Sequence, residues 1–127
     1  MNVVDSSGWL EYFAEAPNSS FFAPPIKDVA NLLVPAITIF EVFKRVLNQK
    51  GEQMALEAIA VMMQGQVLPL DATTAISAAK LSHERKLPMA DSIILATARS
   101  AGAMLWTQDV DFASIEGVKY IPKVSKD

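Results

Sequence analysis

Short apolar runs of strand length alternate with longer helix-like segments along this 127-residue chain. The alternation predicts an α/β fold, and because the runs are apolar almost throughout, it favours a mainly parallel sheet that helices cover on both faces. Helix-like sequence separates each run from the next, except between the last two. The predicted strands are residues 2–4, 32–34, 67–70, 104–106 and 120–121.

The helix-like segments carry the periodic apolar pattern and the end signals of helices that pack on a sheet. Residues 37–50 place apolar side chains on one face, and Gly51 supplies a stop. Pro88 and Gly102 bracket another segment in the order usual for the start and end of a helix. The predicted helices are residues 7–14, 37–50, 52–64, 73–86 and 89–101.

The segment from residue 19 to residue 29 gives conflicting signals. Phe21 and Phe22 favour burial, whereas Pro24 and Pro25 interrupt any continuous helix. The sequence therefore leaves this segment without an assigned structure.

Composition narrows the class of protein. A hydrophobic fraction of 51% is too high for a disordered chain, and no linker or repeat divides the sequence, so a single domain spanning residues 1–127 is expected. The net charge of −3 argues against a protein that coats nucleic acid through bulk positive charge, although it leaves a local site open. The absence of cysteine excludes thiolate chemistry, and a single histidine, His83, argues against a Ser-His-Asp triad. Without a basic leader or an apolar run of membrane-spanning length, a cytoplasmic protein is expected.

Acidic residues recur where the predicted strands and helices meet. Asp5 directly follows the first strand, and Asp109 and Asp111 follow the fourth. Glu41 lies in the first turn of the helix after the second strand, and Asp91 lies near the start of the helix before the fourth. Because the carboxyl ends of parallel strands share one edge of a sheet, we expect these acids to converge there.

Convergence of so many carboxylates has a chemical consequence. Two carboxylates about 4 Å apart repel by roughly 4 kcal/mol at an effective dielectric constant of about 20, so such a group takes up protons or holds cations. Oxygen ligands without cysteine favour Mg²⁺ or Mn²⁺ over zinc. A site of this kind suits phosphodiester hydrolysis, since a divalent cation activates water and stabilises the leaving oxygen.

Each acid also has a purely structural interpretation. Thr38 and Glu41 have the spacing of a capping box, in which Glu41 bonds back to the Thr38 amide. Asp71 follows a strand and precedes a helix, as Asp5 does, so position alone does not separate a metal ligand from a helix cap. The remaining structural interpretations are N-caps for Asp5 and Asp71, a charge that complements the helix dipole for Asp91, and an ordinary turn for Asp109 and Asp111.

Four motifs, in order along nearly the whole chain, resemble those of PIN-domain proteins, and specifically of VapC-type toxins from toxin–antitoxin modules. Each motif alone is weak, but four in the same order form a strong signal. They are VVDSS at residues 3–7, PAITIFEV at 35–42, MADSIILATA at 89–98 and LWTQDVDF at 105–112.

The resemblance implies a fold, an activity and partners. The implied fold is a three-layer PIN-like domain with a central, mainly parallel sheet flanked by helices. The implied activity is that of a metal-dependent endoribonuclease toxin that hydrolyses RNA phosphodiester bonds and is neutralised by a cognate antitoxin. Similar toxins form homodimers, so a homodimer is expected as well.

The resemblance also assigns roles to the acids. It implies that Asp5 and Asp91 bind Mg²⁺ or Mn²⁺ directly and that Asp109 completes the metal site. Glu41 is implied to be the fourth catalytic acid, which binds the metal or orients a water molecule. Asp111 is a substitute for Asp109, because family members vary in which acid of this segment reaches the metal.

Three further assignments follow from the same resemblance. Ser6 and Thr107 match small hydroxyl residues beside the acids, which are implied to hydrogen-bond the carboxylates or their waters. The implied strand order places the third strand at an edge of the sheet, away from the acids, which makes Asp71 a helix cap.

Five basic residues are candidates to contact RNA phosphates. A lysine or arginine on a helix is more often a solvated charge, so each one is a weak candidate taken singly. The five are Lys44, Arg45, Arg85, Lys86 and Arg99.

Aromatic residues are concentrated in the first third of the chain. They could form a groove for an antitoxin helix or strand, since aromatic anchors dominate many interfaces. Two other interpretations stay open, namely an interface between two copies of the chain and an ordinary core. The residues are Trp9, Tyr12, Phe13, Phe21, Phe22 and Phe43.

Other classes of protein fit part of the pattern. A phosphoacceptor receiver domain needs paired acids after the first strand, where this chain has Asp5 followed by Ser6 and Ser7. A phosphatase with an Asp-x-Asp motif fails at Ser7 for the same reason. A non-catalytic interaction module with the PIN fold fits the architecture without the chemistry, so it is the alternative to the nuclease.

Overall fold

A computed structural model describes residues 1–125 of the chain. The strands are β1 (Asn2–Val4), β2 (Leu32–Pro35), β3 (Gln66–Leu68), β4 (Met104–Thr107) and β5 (Val118–Tyr120). The α-helices are α1 (Ser6–Phe13), α2 (Ser19–Lys27), α3 (Ala36–Lys50), α4 (Glu52–Met62), α5 (Ala72–Arg85) and α6 (Met89–Ser100). Two 3-10 turns cover Val29–Asn31 and Val110–Phe112.

The five strands form one sheet in the order β3-β2-β1-β4-β5, and every neighbouring pair is parallel. In the centre, Val3 of β1 pairs with Leu33 of β2 on one side and with Leu105 of β4 on the other. The predicted α/β class and parallel sheet are confirmed. The third strand lies at an edge, as the resemblance implied.

Successive residues of β1 face opposite sides of the sheet, as the pleat requires. Val4 packs into a core with Trp9, Phe22 and residues of α3 and α4. Val3 packs into a second core with Ile94 of α6 and with residues that follow β4. Both faces of the sheet are therefore covered, which gives the three layers that were expected.

The segment that the sequence left unassigned is the helix α2. Its nine residues include Pro24 and Pro25, which remove two backbone donors from the helix. Phe22, Pro25 and Ile26 are nonetheless buried against the sheet. Burial of these apolar side chains is the stabilising contribution that outweighs the helix-breaking tendency of proline.

Within residues 1–125, no helix combines the length and the apolar character needed to cross a membrane.

Candidate metal site

Asp5 lies where β1 ends, and its carboxylate caps the first turn of α1. The side chain is 2% exposed. Its Oδ1 accepts hydrogen bonds from the Gly8 amide at 2.8 Å and the Ser7 hydroxyl at 2.8 Å. Its Oδ2 accepts from the Thr107 hydroxyl at 2.5 Å and from Ser7 at 2.9 Å. Both oxygens of this buried carboxylate are therefore held by donors from two separate parts of the chain.

Burial governs the ionisation of Asp5. Loss of solvent raises its pKa from the usual 3.8 to about 6, although the hydrogen bonds from Thr107, Gly8 and Ser7 oppose the increase. The negative charge of Asp109 raises the pKa further. Asp5 is thus a carboxyl group that gives up its proton close to neutral pH.

The Thr107 hydroxyl joins Asp5 to the segment after β4. It donates its proton to Asp5 and accepts a hydrogen bond from the Asp109 amide at 2.9 Å. The Asp109 side chain in turn accepts from the Asp111 amide at 2.9 Å and caps the short 3-10 turn. These bonds fix the backbone from which both acids extend.

Three carboxylates form the tightest acidic group in the described part of the chain. Each of the three contributes one carboxylate oxygen, and these oxygens all lie within 4.8 Å of one another. The residues are Asp91, Asp109 and Asp111. Asp91 and Asp109 are half-buried, and Asp111 is exposed. Asp111, which the sequence suggested only as a substitute, thus lies beside the other two.

Asp91 receives the electrostatic effect of all the other candidate acids. Partial burial raises its pKa from 3.8 to about 7, and the charges of Asp109, Asp5, Glu41 and Asp111 each add to the increase. The fold therefore brings together five acids that are spread over more than a hundred positions of the sequence.

Glu41 lies on α3 near this group, and its place in the helix differs from the one predicted from the sequence. The helix begins at Ala36 with Pro35 as its N-cap residue, so Glu41 lies in the second turn and not in the first. The predicted capping box is wrong, because the Thr38 hydroxyl donates to the Pro35 carbonyl at 2.7 Å. Glu41 instead accepts a hydrogen bond from the Ser6 hydroxyl at 2.5 Å.

Asp71 is a helix cap, as the resemblance implied. It accepts a hydrogen bond from the Thr74 amide at 2.8 Å at the start of α5, and this bond lowers the pKa of the exposed carboxyl. It follows the edge strand β3, which β2 separates from β1. Asp71 therefore provides a control acid, a strand-end carboxylate outside the cluster.

The five basic candidates are all exposed. The Lys44 ammonium lies 5.9 Å from the centre of the Phe40 ring, one turn back along α3. Arg99 lies about 12 Å along α6 from Asp91, at the opposite end of the helix. Exposure makes all five available to a phosphate backbone, although Arg99 lies at the end of α6 away from Asp91.

The aromatic residues divide between the core and a groove. Trp9 and Phe22 are fully buried in the core and present no surface to a partner. Phe13 lines a groove of about 500 Å³ between α1, α3 and α4, together with Leu10 and Arg45. Tyr12, Phe21 and Phe43 are partly buried against the same core.

Sequence reasoning missed several residues that hold the acids in place. Ser7 bonds both oxygens of Asp5, and its sequence signals are its place in the motif at residues 3–7 and its position two residues after a capping aspartate. Glu11, Asn18 and Gln108 form a buried hydrogen-bonded group next to the acids. No motif or spacing links these three positions, so the sequence offered no signal for them.

The donor set fits a hard divalent cation. Asp91, Asp109 and Asp111 supply carboxylate oxygens only, which suits Mg²⁺ or Mn²⁺. Burial and then the neighbouring negative charges raise the pKa of Asp91, and a cation would relieve that repulsion as a proton does.

The PIN domain family model matches residues 3–118. The chain belongs to the PIN domain family. No curated protein matches the sequence. Among solved structures, this PIN domain is similar to a toxin–antitoxin complex from Klebsiella pneumoniae, with 24% identity and a TM-score of 0.78 over 94% of this chain and 96% of that chain.

Two further solved structures share the fold of this PIN domain. One is VapC20 from Mycobacterium tuberculosis, described as a toxin that cleaves the sarcin-ricin loop, with 17% identity and a TM-score of 0.76 over 91% of this chain and 95% of that chain. The other is DNA-bound VapBC from Salmonella typhimurium, with 18% identity and a TM-score of 0.72 over 95% of this chain and 96% of that chain. The predicted resemblance to PIN domains is confirmed.

Proposed function

We propose that this PIN domain is an Mg²⁺- or Mn²⁺-dependent endoribonuclease and the toxin of a toxin–antitoxin pair. The observation that carries the proposal is the group of three carboxylates within 4.8 Å, with Asp5 and Glu41 close enough to raise the pKa of one member. Membership of the PIN family supports nuclease chemistry at such a group.

The acids divide into residues that hold the cation and residues that shape the site. Asp91, Asp109 and Asp111 would hold Mg²⁺ or Mn²⁺, with Asp5 beside them. When bound, the divalent cation supplies charge that favours ionisation of an attacking water and stabilises the leaving oxygen. The hydrogen bonds that hold Asp5 and Asp109 keep the carboxylates in place before the substrate arrives.

Glu41 serves as the proton acceptor. Its Oε1 accepts the Ser6 hydrogen bond, which fixes the side chain and leaves Oε2 to take a proton from the attacking water. Lys44 is exposed and lies three residues after Glu41, on the same face of α3, so it is available to contact the RNA backbone near the cut.

Single-stranded or loop RNA is the proposed substrate, and a cleavage assay tests the activity. The purified, antitoxin-free chain should cut structured cellular RNAs with Mg²⁺ or Mn²⁺ and stop on addition of EDTA. Asp91→Asn should remove the cleavage, whereas Asp71→Asn should retain it. Absence of any EDTA-sensitive cleavage would favour the non-catalytic interaction module instead. Mapping RNA ends in cells after induction of the wild-type chain and of Asp91→Asn would identify the target.

An antitoxin partner is proposed from the solved structures, of which one is a toxin–antitoxin complex and another a DNA-bound VapBC assembly. The groove between α1, α3 and α4 is the proposed seat for it. Apolar Leu10, Phe13 and Val46 line the groove beside Arg45 and Lys50, which suits an amphipathic segment with acidic side chains. Met54→Glu, at an exposed position of the same groove, should abolish co-purification with a co-expressed antitoxin and leave cleavage by the free chain intact.

A homodimer is proposed on the same basis. Size-exclusion chromatography with light scattering on the antitoxin-free chain tests it, since a dimer has twice the mass of the 13.8 kDa chain.

A further inference from the structure

A buried polar group lies next to the acids and joins three distant segments of the chain. It consists of Glu11 on α1, Asn18 at the start of α2 and Gln108 after β4, none of them more than 8% exposed. The Gln108 Nε2 group donates to Glu11 Oε1 at 3.1 Å and to the Ser7 carbonyl at 3.4 Å. The Gln108 Oε1 atom accepts from Asn18 Nδ2 at 3.0 Å.

Asn18 closes this group and connects it to Pro122. Its backbone amide donates to Glu11 Oε2 at 2.8 Å. Its side-chain Nδ2 group donates to the Pro122 carbonyl at 3.0 Å and also to Gln108. Both carboxylate oxygens of Glu11 are therefore engaged. Glu11 and Asn18 thus bind residues 108 and 122, which lie ninety or more positions later in the sequence.

The chemistry of the partners allows only one orientation of the Gln108 amide. The Glu11 carboxylate and the Ser7 carbonyl only accept hydrogen bonds, so the NH₂ group must face them and the oxygen must face Asn18. All the polar atoms of this amide are in use. Such a saturated buried group specifies one geometry, which an apolar side chain of the same size would not do.

Gln108 connects this buried group to the acidic site, because it lies between two residues of that site in the sequence. Thr107, the preceding residue, bonds Asp5, and Asp109, the following residue, belongs to the three-carboxylate cluster. Two consecutive side chains thus hold the backbone that follows β4. Thr107 is bonded to Asp5, and Gln108 is bonded to Glu11 on α1 and to Asn18 at the start of α2. The acids that follow extend from a backbone held at both points.

We infer that Gln108 is a positioning residue, which Glu11 and Asn18 hold in place. It determines the positions from which the carboxylates of Asp109 and Asp111 bind the divalent cation. The inference rests on the proposed function, since it concerns the same acidic site. The polar side-chain atoms of Gln108 are all engaged by Asn18, Ser7 and Glu11, so Gln108 would bind neither the cation nor the substrate. Outer residues of this kind change metal affinity by about 10- to 100-fold when they are replaced.

Replacement of Gln108 by leucine tests the inference through metal binding as well as cleavage. For Gln108→Leu, we expect the Kd for Mn²⁺, measured by calorimetry on the full chain, to rise about tenfold or more. The kcat for RNA should fall while KM changes less than about twofold, because substrate contacts are untouched. The control is Ser82→Ala. It removes the hydrogen bond that the Ser82 hydroxyl, on α5, donates to the Leu87 carbonyl, and it should leave the Kd for Mn²⁺ unchanged.

A second variant keeps the test decisive if Gln108→Leu does not fold. Asn18→Ala removes the bond to Gln108 Oε1 from a distance and leaves residue 108 intact. It should also raise the Kd for Mn²⁺, and the double variant should raise it by less than the product of the two single effects, because both act through one group.

The outcomes separate the inference from the proposed function. A wild-type Kd for Mn²⁺ in folded Gln108→Leu and Asn18→Ala overturns the inference, even if the chain cleaves RNA. Weaker Mn²⁺ binding in these variants supports it, even if the wild-type chain cleaves no RNA and the proposed function falls. A wild-type chain that does not bind Mn²⁺ at millimolar concentrations overturns both.

Discussion

The Thr107 hydroxyl lies 2.5 Å from Asp5 Oδ2 and uses its only proton for that bond. Its oxygen must therefore accept from the Asp109 amide, which lies at 2.9 Å. One fully buried hydroxyl thus sets the relative position of an acid from the start of the chain and an acid from its end.

Thr107→Val keeps the shape of the side chain and removes both hydrogen bonds. We expect the free energy of unfolding to fall by about 1–3 kcal/mol, since a buried carboxylate oxygen and a backbone amide lose their partner. The Kd for Mn²⁺ should rise by about 10-fold or more. Thr107→Ser retains the hydroxyl and should preserve Mn²⁺ binding. Equal Mn²⁺ affinity in the valine and serine variants would contradict the role assigned to this bond.

The ionisation of Asp91 predicts how stability depends on pH without metal. Its pKa is about 7 in the folded chain and close to 3.8 when exposed, so the folded state holds a proton that the unfolded state has lost. The stability from this proton is fully present below about pH 4 and is lost as the pH rises to about 7. Asp5 adds to the loss up to about pH 6.

Thermal unfolding in EDTA between pH 5 and pH 8 checks this sign. The wild-type Tm should fall as the pH rises, and Asp91→Asn should flatten the curve and raise the Tm at pH 8. Asp71→Asn is the control, because the pKa of Asp71 is lowered and its effect lies below about pH 4. At pH 8, saturating Mn²⁺ should stabilise the wild-type chain but not Asp91→Asn. A wild-type Tm that rises with pH in EDTA would refute the assignment.

Asp5 has two roles that two substitutions separate. Asp5→Asn keeps an oxygen that can accept from the Gly8 amide and removes a buried charge, so the Tm should change little while cleavage is lost. Asp5→Ala also removes the cap and should lower the free energy of unfolding by about 1–2 kcal/mol more. Equal Tm values for the two variants, measured by calorimetry, would show that the cap contributes nothing.

At Gly8, helix α1 packs closely against β1 and α2. A Cβ atom there would lie 2.6 Å from Phe22 Cε1 and 2.7 Å from Val4 Cγ1, and both side chains are fully buried. Gly8→Ala should therefore lower the free energy of unfolding by about 1–3 kcal/mol in urea titrations. In a Phe22→Leu background, which makes room beside α1, the same change should cost less. Additive effects would exclude a clash with Phe22.

The sequence identified the architecture because the architecture rests on local signals. Gly51 ends α3, and α6 begins directly after Pro88, as expected from residue preferences alone. Helix α2 was not predictable, because Pro24 and Pro25 oppose a helix locally and only the burial of Phe22 and Ile26 stabilises it. Tertiary packing, which no window of sequence contains, decided that segment.

The acids were predictable as a set, but their contacts were not. The pairing of Ser6 with Glu41 depends on α3 beginning two residues before Thr38, which shifts Glu41 from the helix start to the second turn. Gln108 and Asn18 are ninety positions apart and belong to no shared motif. Side-chain hydrogen bonds between distant segments follow from the assembled fold, so they are found only in the structure.

The register of the two central strands also determines when during synthesis the acidic cluster can form. Val3 pairs with Leu105, and the Asp5 amide donates to the Trp106 carbonyl at 3.1 Å. β1 can pair early with β2, but its other neighbour, β4, is made about a hundred residues later, and Asp109 and Asp111 follow β4. A nascent chain carries Asp5, Glu41 and Asp91 long before it can assemble them with the last two acids. The acidic cluster therefore cannot be complete before the segment that follows β4 has been made and β4 has paired with β1.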